Sequence, residues 1–363
     1  MILPSSYTKE WIEEKRITYP KSDPTIMEKV IYALALVEQL SQTNFSFIFK
    51  GGTSLLLILP EPKRFSIDVD IVTTDSREKV EKTLTSICTL GLFTNWELDE
   101  LRSYKTGIPK AHYLLSFKSN LDSRERVLLL DVLFEEHGYP ALVNAPIVNE
   151  WIQTDDNYIR VQIPSIDSIT GDKLTAYAPN TIGIHFKVEH PDGRVTEKQM
   201  EVMKQLFDLG ILFDKVNDLN HFKQSFENTA QKEIAYRVDQ TITNEHVLND
   251  IINTSLMISS WGKFFDPKND FIHIGTGLTQ LKSFIYNGAF RIDEAVLASS
   301  KAAYLAAIVL TNYKGEIKRW QDGDDITKYE IEPMEYNFLN KRRNIPGCPL
   351  FYWYQTLSLL GKL

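Results

Sequence analysis

Two aspartates separated by one residue, Asp68 and Asp70, lie in an apolar alternating stretch of the sequence. The residues at 65, 67, 69 and 71 are all apolar. This alternation predicts a β-strand, in which side chains two positions apart point to the same face. Two carboxylates on one face of a hydrophobic strand repel each other unless a cation or a hydrogen-bond network compensates them. A divalent metal ion is the simplest compensation, so the pair indicates a metal site for nucleotide chemistry.

A diglycine turn, Gly51 and Gly52, precedes the aspartates and is followed by the hydroxyl residues Thr53 and Ser54. Glycines allow backbone N–H groups to approach an anion closely, and the start of a following helix adds a favourable dipole. A Gly-Gly pair alone is more often a tight strand-to-helix turn without a ligand. Together with the paired carboxylates, the turn favours a site that binds a metal ion and a nucleotide.

Two-metal phosphoryl transfer requires a third carboxylate that faces the first two. Asp131 is the best candidate, because it lies at the centre of an apolar strand predicted over residues 126–134. A charged residue at a strand end is the alternative interpretation. His112 and Arg126 are plausible neighbours, although neither carries a specific signal.

Two further candidates lie in the second half of the chain. Lys173 is at the margin of the apolar face of a predicted helix over residues 167–178, from which it could reach a phosphate. A lysine stem that covers apolar surface with its amine in water is the alternative. Lys204 and Asp208 are four residues apart on one helix face, which by default is a surface ion pair. Asp208 lies between apolar neighbours and could instead orient a basic group in the site.

The elements that must position these residues divide the chain near residue 165. Before it, the pattern predicts helices at 25–40, 53–59 and 77–90, and strands at 45–49, 65–71, 112–117, 126–134 and 158–163. After it, helices are predicted at 167–178, 196–213, 220–236, 241–260, 277–286 and 293–311. We therefore predict an α/β domain at residues 1–164 and a mainly helical domain at 165–363, which contributes Lys173 and Asp208 to the site.

Composition is that of an ordinary globular protein, with 43% apolar and 24% charged residues. The net charge of −8 argues against a surface that binds nucleic acid everywhere, but not against a local basic groove. The two cysteines, Cys88 and Cys348, exclude a disulfide framework and fit a reducing cytoplasm. No signal peptide is predicted at the N-terminus. The longest apolar runs are shorter than the ~20 residues of a membrane helix, so we expect a soluble cytoplasmic protein.

Four segments together resemble three motifs of the AbiEii/AbiGii-type nucleotidyltransferase toxins, a family of the DNA polymerase β-like nucleotidyltransferase superfamily. KGGTSL at 50–55 and RFSIDVDI at 64–71 look like the first motif of that family. GDKLTA at 171–176 is similar to its lysine motif, and KQLFDL at 204–209 to its later basic-acidic motif. Gln205 departs from the pattern, since the family has an acid there. The resemblance covers residues 25–215.

The resemblance implies an α+β fold with a nucleotidyltransferase-type mixed sheet, flanking helices and a helical C-terminal domain. It also implies an NTP-dependent toxin of a toxin–antitoxin or abortive-infection system, some relatives of which act on the 3′ end of tRNA. Asp68 and Asp70 would bind Mg²⁺ or Mn²⁺, with Asp131 as the third metal ligand. Gly51, Gly52 and Thr53 or Ser54 would hold the triphosphate, and Arg64 and Ser66 would fix the strand or touch phosphate. Lys173 would neutralise phosphate charge, and Asp208 would belong to the site.

We expect a Mg²⁺-dependent enzyme that transfers NMP from an NTP to RNA, and the residues of KRRN at 341–344 and of 314–319 are possible RNA contacts. A cognate antitoxin protein is the expected partner, and no membrane is involved. Two alternatives stay open. One is the same fold modifying a protein side chain, for example by adenylylation. The other is a non-catalytic binding module that keeps the fold.

Overall fold

The computed structural model describes residues 1–103, 107–190, 193–237, 239 and 241–363. The chain forms two compact units. Unit 1 consists of Met1–Ser165 together with Ser283–Gly288, and unit 2 consists of Ile166–Lys282 together with Ala289–Leu363. The fold class is α+β, as predicted, with a mixed sheet in unit 1 and mainly helices in unit 2.

Unit 1 begins with two helices, continues with three strand–helix pairs and ends with four consecutive strands. In chain order they are α1 (Lys9–Thr18), α2 (Pro24–Ser41), β1 (Ile48–Lys50), α3 (Gly51–Ile58), β2 (Val69–Thr73), α4 (Arg77–Thr89), β3 (Asn95–Leu98), α5 (Glu100–Ser103), β4 (Lys110–Lys118), β5 (Glu125–Phe134), β6 (Leu142–Pro146) and β7 (Arg160–Pro164).

Five of these strands form one sheet in the order β1-β2-β5-β4-β3. The pair β2 and β5 is parallel, and the other neighbours are antiparallel. One face of the sheet is buried, because alternate residues of β4 and β5 are large and apolar. Those with at most 1% exposure include Tyr113, Leu115, Phe117, Leu128 and Leu130.

Helix α2 belongs to the same hydrophobic core as this buried face. It begins where Asp23 accepts hydrogen bonds from the N–H groups of Thr25 and Ile26, with Pro24 at the first helical position. Tyr32 stacks on Phe117 of the sheet, with 3.8 Å between ring centroids. The apolar spacing of the predicted helix at 25–40 thus reflects burial against the sheet.

The segment Ser283–Gly288 is distant in sequence but belongs to unit 1. Phe65 N–H donates to Phe284 O over 2.7 Å, and Arg64 forms an antiparallel bridge with Ile285. The ring of Tyr286 lies 4.7 Å from that of Phe65. This pairing explains why β2 begins at Val69 and not at residue 65 as predicted, since residues 64 and 65 pair with this segment instead. The predicted helix at 277–286 is wrong in its last part for the same reason.

Unit 2 is mainly helical. Its elements are α6 (Ile166–Ala176), β8 (Lys187–Glu189), β9 (Val195–Glu197), α7 (Gln199–Phe213), α8 (Leu219–Ala235), α9 (Asn244–Ser259), α10 (Phe271–Leu281), α11 (Ile292–Leu310) and α12 (Pro349–Leu359). Strands β8 and β9 pair as an antiparallel hairpin. None of the helices in the described ranges is both long and apolar enough to span a membrane.

Helix α11 is the centre of unit 2 and packs against α7, α9 and α12. Small side chains allow these neighbours to approach it closely. Its fully buried alanines are Ala295, Ala302, Ala303, Ala306 and Ala307. The indole of Trp353 on α12 is also fully buried, and its Nε1 donates to Ser259 Oγ at the end of α9 over 2.9 Å. The aromatic C-terminus of the sequence thus contributes to the core of this unit.

Candidate active site

A row of polar side chains crosses four strands of the unit 1 sheet. Lys50 lies opposite Asp70, Asp70 lies beside Asp131, and Asp131 lies opposite His112. Residues paired in this way share one face of the sheet. It is the face opposite the hydrophobic core, because the neighbours of Asp70 along β2, Val69 and Ile71, are buried in that core. The row therefore places two carboxylates between two basic residues.

Asp68 lies directly before β2 and not within a strand. Its main-chain oxygen accepts a hydrogen bond from Thr53 Oγ1 over 2.5 Å. The carboxylates of Asp68 and Asp70 are both partly exposed. The Asp-x-Asp segment is thus connected directly to the helix that follows the diglycine turn.

Asp131 is held by two basic groups. His112 Nδ1 is 2.5 Å from Asp131 Oδ1, and Arg102 Nη2 is 3.8 Å from Asp131 Oδ2. His112 is 6% exposed, and its Nε2 is buried without a hydrogen-bond partner among the described residues. His112 therefore fixes the orientation of the carboxylate, and the charge of Arg102 lies close enough to attract it.

The diglycine turn lies directly against Asp70. Gly51 has φ +75°, a conformation that favours glycine, and a Cβ there would be 2.1 Å from Asp70 Oδ2. A Cβ on Gly52 would be 2.7 Å from both Arg64 Nη2 and Ser66 Oγ. Both glycines are thus required by close approach to the predicted site residues, and α3 begins at this turn.

The hydroxyls of Thr53 and Ser54 take part in bonds within the fold. Both residues are fully buried, and Ser54 Oγ donates to Gly51 O over 2.9 Å. Their predicted contact with a triphosphate stays a prediction. Main-chain N–H groups of the first turn of α3 are better placed to meet an anion, since such groups have no partner within the helix.

Arg64 is also largely buried, and its Nη1 donates to Phe65 O over 2.9 Å. Its guanidinium thus braces the segment before Asp68 from the side of Gly52. A role for Arg64 and Ser66 in fixing this strand agrees with the contacts, and their role in touching phosphate stays a prediction.

The donor set suits a hard divalent cation, which prefers carboxylate oxygens. Across the described ranges, no group of three or more His, Cys, Asp or Glu side chains is arranged to hold a metal ion. Mg²⁺ is typically bound by one or two carboxylates together with water and substrate phosphates. Asp70 with a neighbouring carboxylate fits that pattern, and the absence of a Cβ at Gly51 allows the Asp70 carboxylate to lie against the diglycine turn.

In unit 2, Lys173 on α6 and Asp208 on α7 form a buried ion pair. Lys173 Nζ is 2.7 Å from Asp208 Oδ2, and the residues are 5% and 2% exposed. The same amine donates to Gln205 Oε1 over 3.1 Å. Gln205, which stands where the family has an acid, thus contacts Lys173 through a neutral amide. The pair would carry an excess negative charge if position 205 were an acid.

Three basic residues surround the predicted acids, and the sequence pattern indicates only His112 among them. Lys50 and His112 are assigned by strand register, and Arg102 by a contact from α5. His112 appeared as a neighbour without a specific signal, and its alternation with Ala111 and Tyr113 in a predicted strand was the available clue.

Comparisons with known proteins identify relatives of the chain. The family model described as nucleotidyl transferase AbiEii toxin, type IV toxin–antitoxin system, matches residues 34–271. Among solved structures, a "putative nucleotidyltransferase from H. pylori" covers 80% of this chain and 97% of its own, with 14% identity and a TM-score of 0.41. JHP933 from Helicobacter pylori covers 78% of this chain and 92% of its own, with 15% identity and a TM-score of 0.41. No curated protein matches.

Proposed function

Since the chain belongs to the AbiEii nucleotidyl transferase toxin family of type IV toxin–antitoxin systems, we propose that it transfers a nucleoside monophosphate from an NTP to RNA. The family makes the chain a nucleotidyltransferase, with an NTP as substrate and a cognate antitoxin as partner. The free thiols of Cys88 and Cys348 fit action in a reducing cytoplasm.

The observation that carries the proposal is the register of β2 and β5, which places Asp70 beside Asp131 on one face of the sheet. Paired carboxylates at this spacing are the residues that a metal-dependent phosphoryl transfer requires. Asp70 and Asp131 would hold Mg²⁺, or Mn²⁺ in its place, together with water and substrate phosphates, and Asp68 stays the predicted further ligand. When bound, the metal ion stabilises charge on the attacking and leaving oxygens.

The acceptor hydroxyl oxygen forms a bond to the α-phosphorus of the NTP, and the bond from that phosphorus to the bridging oxygen breaks. Pyrophosphate leaves, and Asp131 accepts the proton of the hydroxyl. His112 keeps the Asp131 carboxylate in one orientation through the 2.5 Å contact, so that a carboxylate oxygen stays directed at the hydroxyl. The first turn of α3 at Gly51 and Gly52 receives the triphosphate through its main-chain N–H groups.

In this proposal, Lys173 neutralises phosphate charge, and Asp208 orients the amine of Lys173. The support is chemical, since Lys173 is a buried amine held by one carboxylate and one amide. Such an amine is fixed in position, which is what a phosphate ligand requires. Thr53, Ser54 and Arg64 act mainly by holding the turn and the segment before β2, and the bonds within the fold support that part of their role. Ser66 lies directly against Gly52.

The test is nucleotide transfer by the purified protein. Each α-labelled NTP is incubated with Mg²⁺ and either total RNA or nuclease-treated cell lysate. We expect label in the RNA, and a loss of about 100-fold or more in Asp70→Asn, the size expected on removing one charge-stabilising group. Asp75→Asn is the matched control, because Asp75 follows the same strand and pairs with Lys79.

Three results would contradict the proposal. Label in the protein fraction would identify an enzyme that modifies protein side chains. No transfer from any NTP to either acceptor would favour a non-catalytic module. In cells, growth arrest by Asp70→Ala as strong as that by the wild type would also favour the non-catalytic alternative.

A further inference from the structure

A cavity of about 680 Å³ lies in unit 2, beside the start of α8 and the loop that follows α11. Three cationic side chains line it, from Lys223, Lys314 and Arg319. The volume is within the range of about 300–1,000 Å³ that holds small ligands or parts of larger ones. None of these residues belongs to the site proposed above, so their shared position requires a separate explanation.

Lys223 is a buried cation whose hydrogen-bond partners in the described ranges are neutral oxygens. It is 6% exposed, and its Nζ donates to Asn312 Oδ1 over 3.2 Å and to Tyr313 O over 3.0 Å. The carboxylate of Glu227, one turn along α8, attracts Lys223 electrostatically. Burial lowers the pKa of Lys223, and the charge of Lys314 lowers it further. A buried charge of this kind is normally paired, so an anion is the missing partner.

Arg319 shows the same pattern on another wall of the cavity. Its Nη2 donates to Phe213 O over 3.1 Å and to Val216 O. Its Nε is buried without a hydrogen-bond partner in the ranges that the structure describes. The guanidinium is thus held in place by neutral oxygens.

Two acids also line the cavity, Asp218 and Glu316. Asp218 accepts hydrogen bonds from the N–H groups of His221 and Asn220 at the start of α8, and these lower the pKa of its carboxyl. Its charge therefore stabilises the helix end. The charged lining is positive by one unit, and its one buried charge, Lys223, is cationic. This arrangement favours an anion over a cation.

We propose that this cavity binds a backbone phosphate of the RNA acceptor. The inference rests on the proposed function and adds a docking point for that substrate in unit 2. Phosphate is the anion that every RNA carries, and arginine and lysine are its usual partners in proteins. Lys223 and Arg319 supply fixed donors, and the exposed Lys314 adds a mobile charge at the rim.

The test measures binding of labelled total tRNA in an Asp70→Asn background, so that the result does not depend on transfer. Lys223→Met and Lys314→Glu are compared at several salt concentrations. We expect each change to weaken tRNA binding by about 5- to 10-fold, and Lys223→Met to reduce the slope of log affinity against log salt by about one. Lys328→Met is the matched control, since it removes an exposed charge of unit 2 that does not line the cavity.

Two outcomes would overturn the inference. In the first, both variants bind tRNA as the control does. In the second, they lose affinity for ATP or tripolyphosphate but keep that for tRNA, which would assign the cavity to free phosphates. Lys314→Glu keeps the test valid if Lys223→Met fails to fold, because Lys314 is exposed. A failure of nucleotide transfer to RNA would contradict the proposed function and leave these binding results unaffected.

Discussion

His112 Nδ1 lies 2.5 Å from Asp131 Oδ1, and the two residues are directly opposite each other on β4 and β5. Because both side chains leave rigid strands of one sheet, their separation is fixed by backbone register. Asp131 in turn lies beside Asp70 on β2. The sheet thus sets the spacing of an imidazole and two carboxylates before any ligand binds, which is the type of preorganisation that catalysis requires.

His112→Phe tests whether this contact positions Asp131. The change keeps an aromatic ring in the buried position but removes the nitrogen that meets Asp131. We expect kcat for nucleotide transfer to fall by about 10- to 100-fold with little change in KM, as for other residues that orient a ligand-binding side chain. His137→Phe, at an exposed position in unit 1, should leave both constants unchanged. If the fall in kcat is instead accompanied by a large loss of unfolding free energy, His112 has a structural role.

The amino-acid sequence predicts much of this arrangement, for physical reasons. Alternation of apolar residues assigns Asp70 and Asp131 to strands, because burial of one face requires a period of two. It cannot assign His112 to Asp131, since the period fixes the face of a strand but not which residue lies opposite. The position of Lys50 opposite Asp70 cannot be predicted for the same reason.

Pairing over long sequence distances is also hidden from local patterns. Ile285 pairs with Arg64, and the predicted strand therefore begins only at Val69, after Asp68. Residues 277–286 have apolar spacing that predicts a helix, but part of the segment packs on unit 1 instead. The buried hydroxyls of Thr53 and Ser54 give a further example, because hydroxyls that bond to the backbone cannot be distinguished in sequence from those that bind ligands.

Gly51→Ala tests the close approach of the diglycine turn to Asp70. The new Cβ would be 2.1 Å from Asp70 Oδ2, and φ is +75°, so Asp70 or the turn must move. We expect a stability loss of about 1–2 kcal/mol from backbone strain and a much larger relative loss of nucleotide transfer. Gly91→Ala is the matched control, since Gly91 has φ +84° with no atom within 4 Å of its added Cβ. Thermal unfolding and transfer rates are measured for both variants. Similar transfer rates in the two would show that the close approach of Gly51 to Asp70 does not matter for activity.

Lys173→Met and Asp208→Leu test the buried ion pair of unit 2. Removing one partner leaves the other charge buried, so each single change should cost about 3–5 kcal/mol of unfolding free energy. The double variant should recover most of that loss, because no unpaired charge remains. Denaturant unfolding of the four proteins gives the coupling energy.

The same double variant separates stability from function. If Lys173 also neutralises phosphate charge, the recovered protein should still have lost nucleotide transfer. Recovery of both stability and transfer would limit the pair to a structural role.

Glu38→Gln tests a carboxyl of α2 that is buried in unit 1. Burial raises the pKa of Glu38, although the N–H of Ile2, which donates to it over 2.8 Å, acts in the opposite direction. A raised pKa means that the folded state holds the proton more tightly than the unfolded state. The stability that this group contributes is therefore greatest below its pKa in the unfolded state and falls as pH rises through its pKa in the folded state.

Since glutamine keeps the acceptor oxygen without the charge, we expect Glu38→Gln to unfold at a higher temperature than the wild type at pH 7 and at nearly the same temperature at pH 4. The exposed Glu14→Gln should show no such difference, and a gain at pH 4 as large as at pH 7 would contradict the assignment to the charge of Glu38.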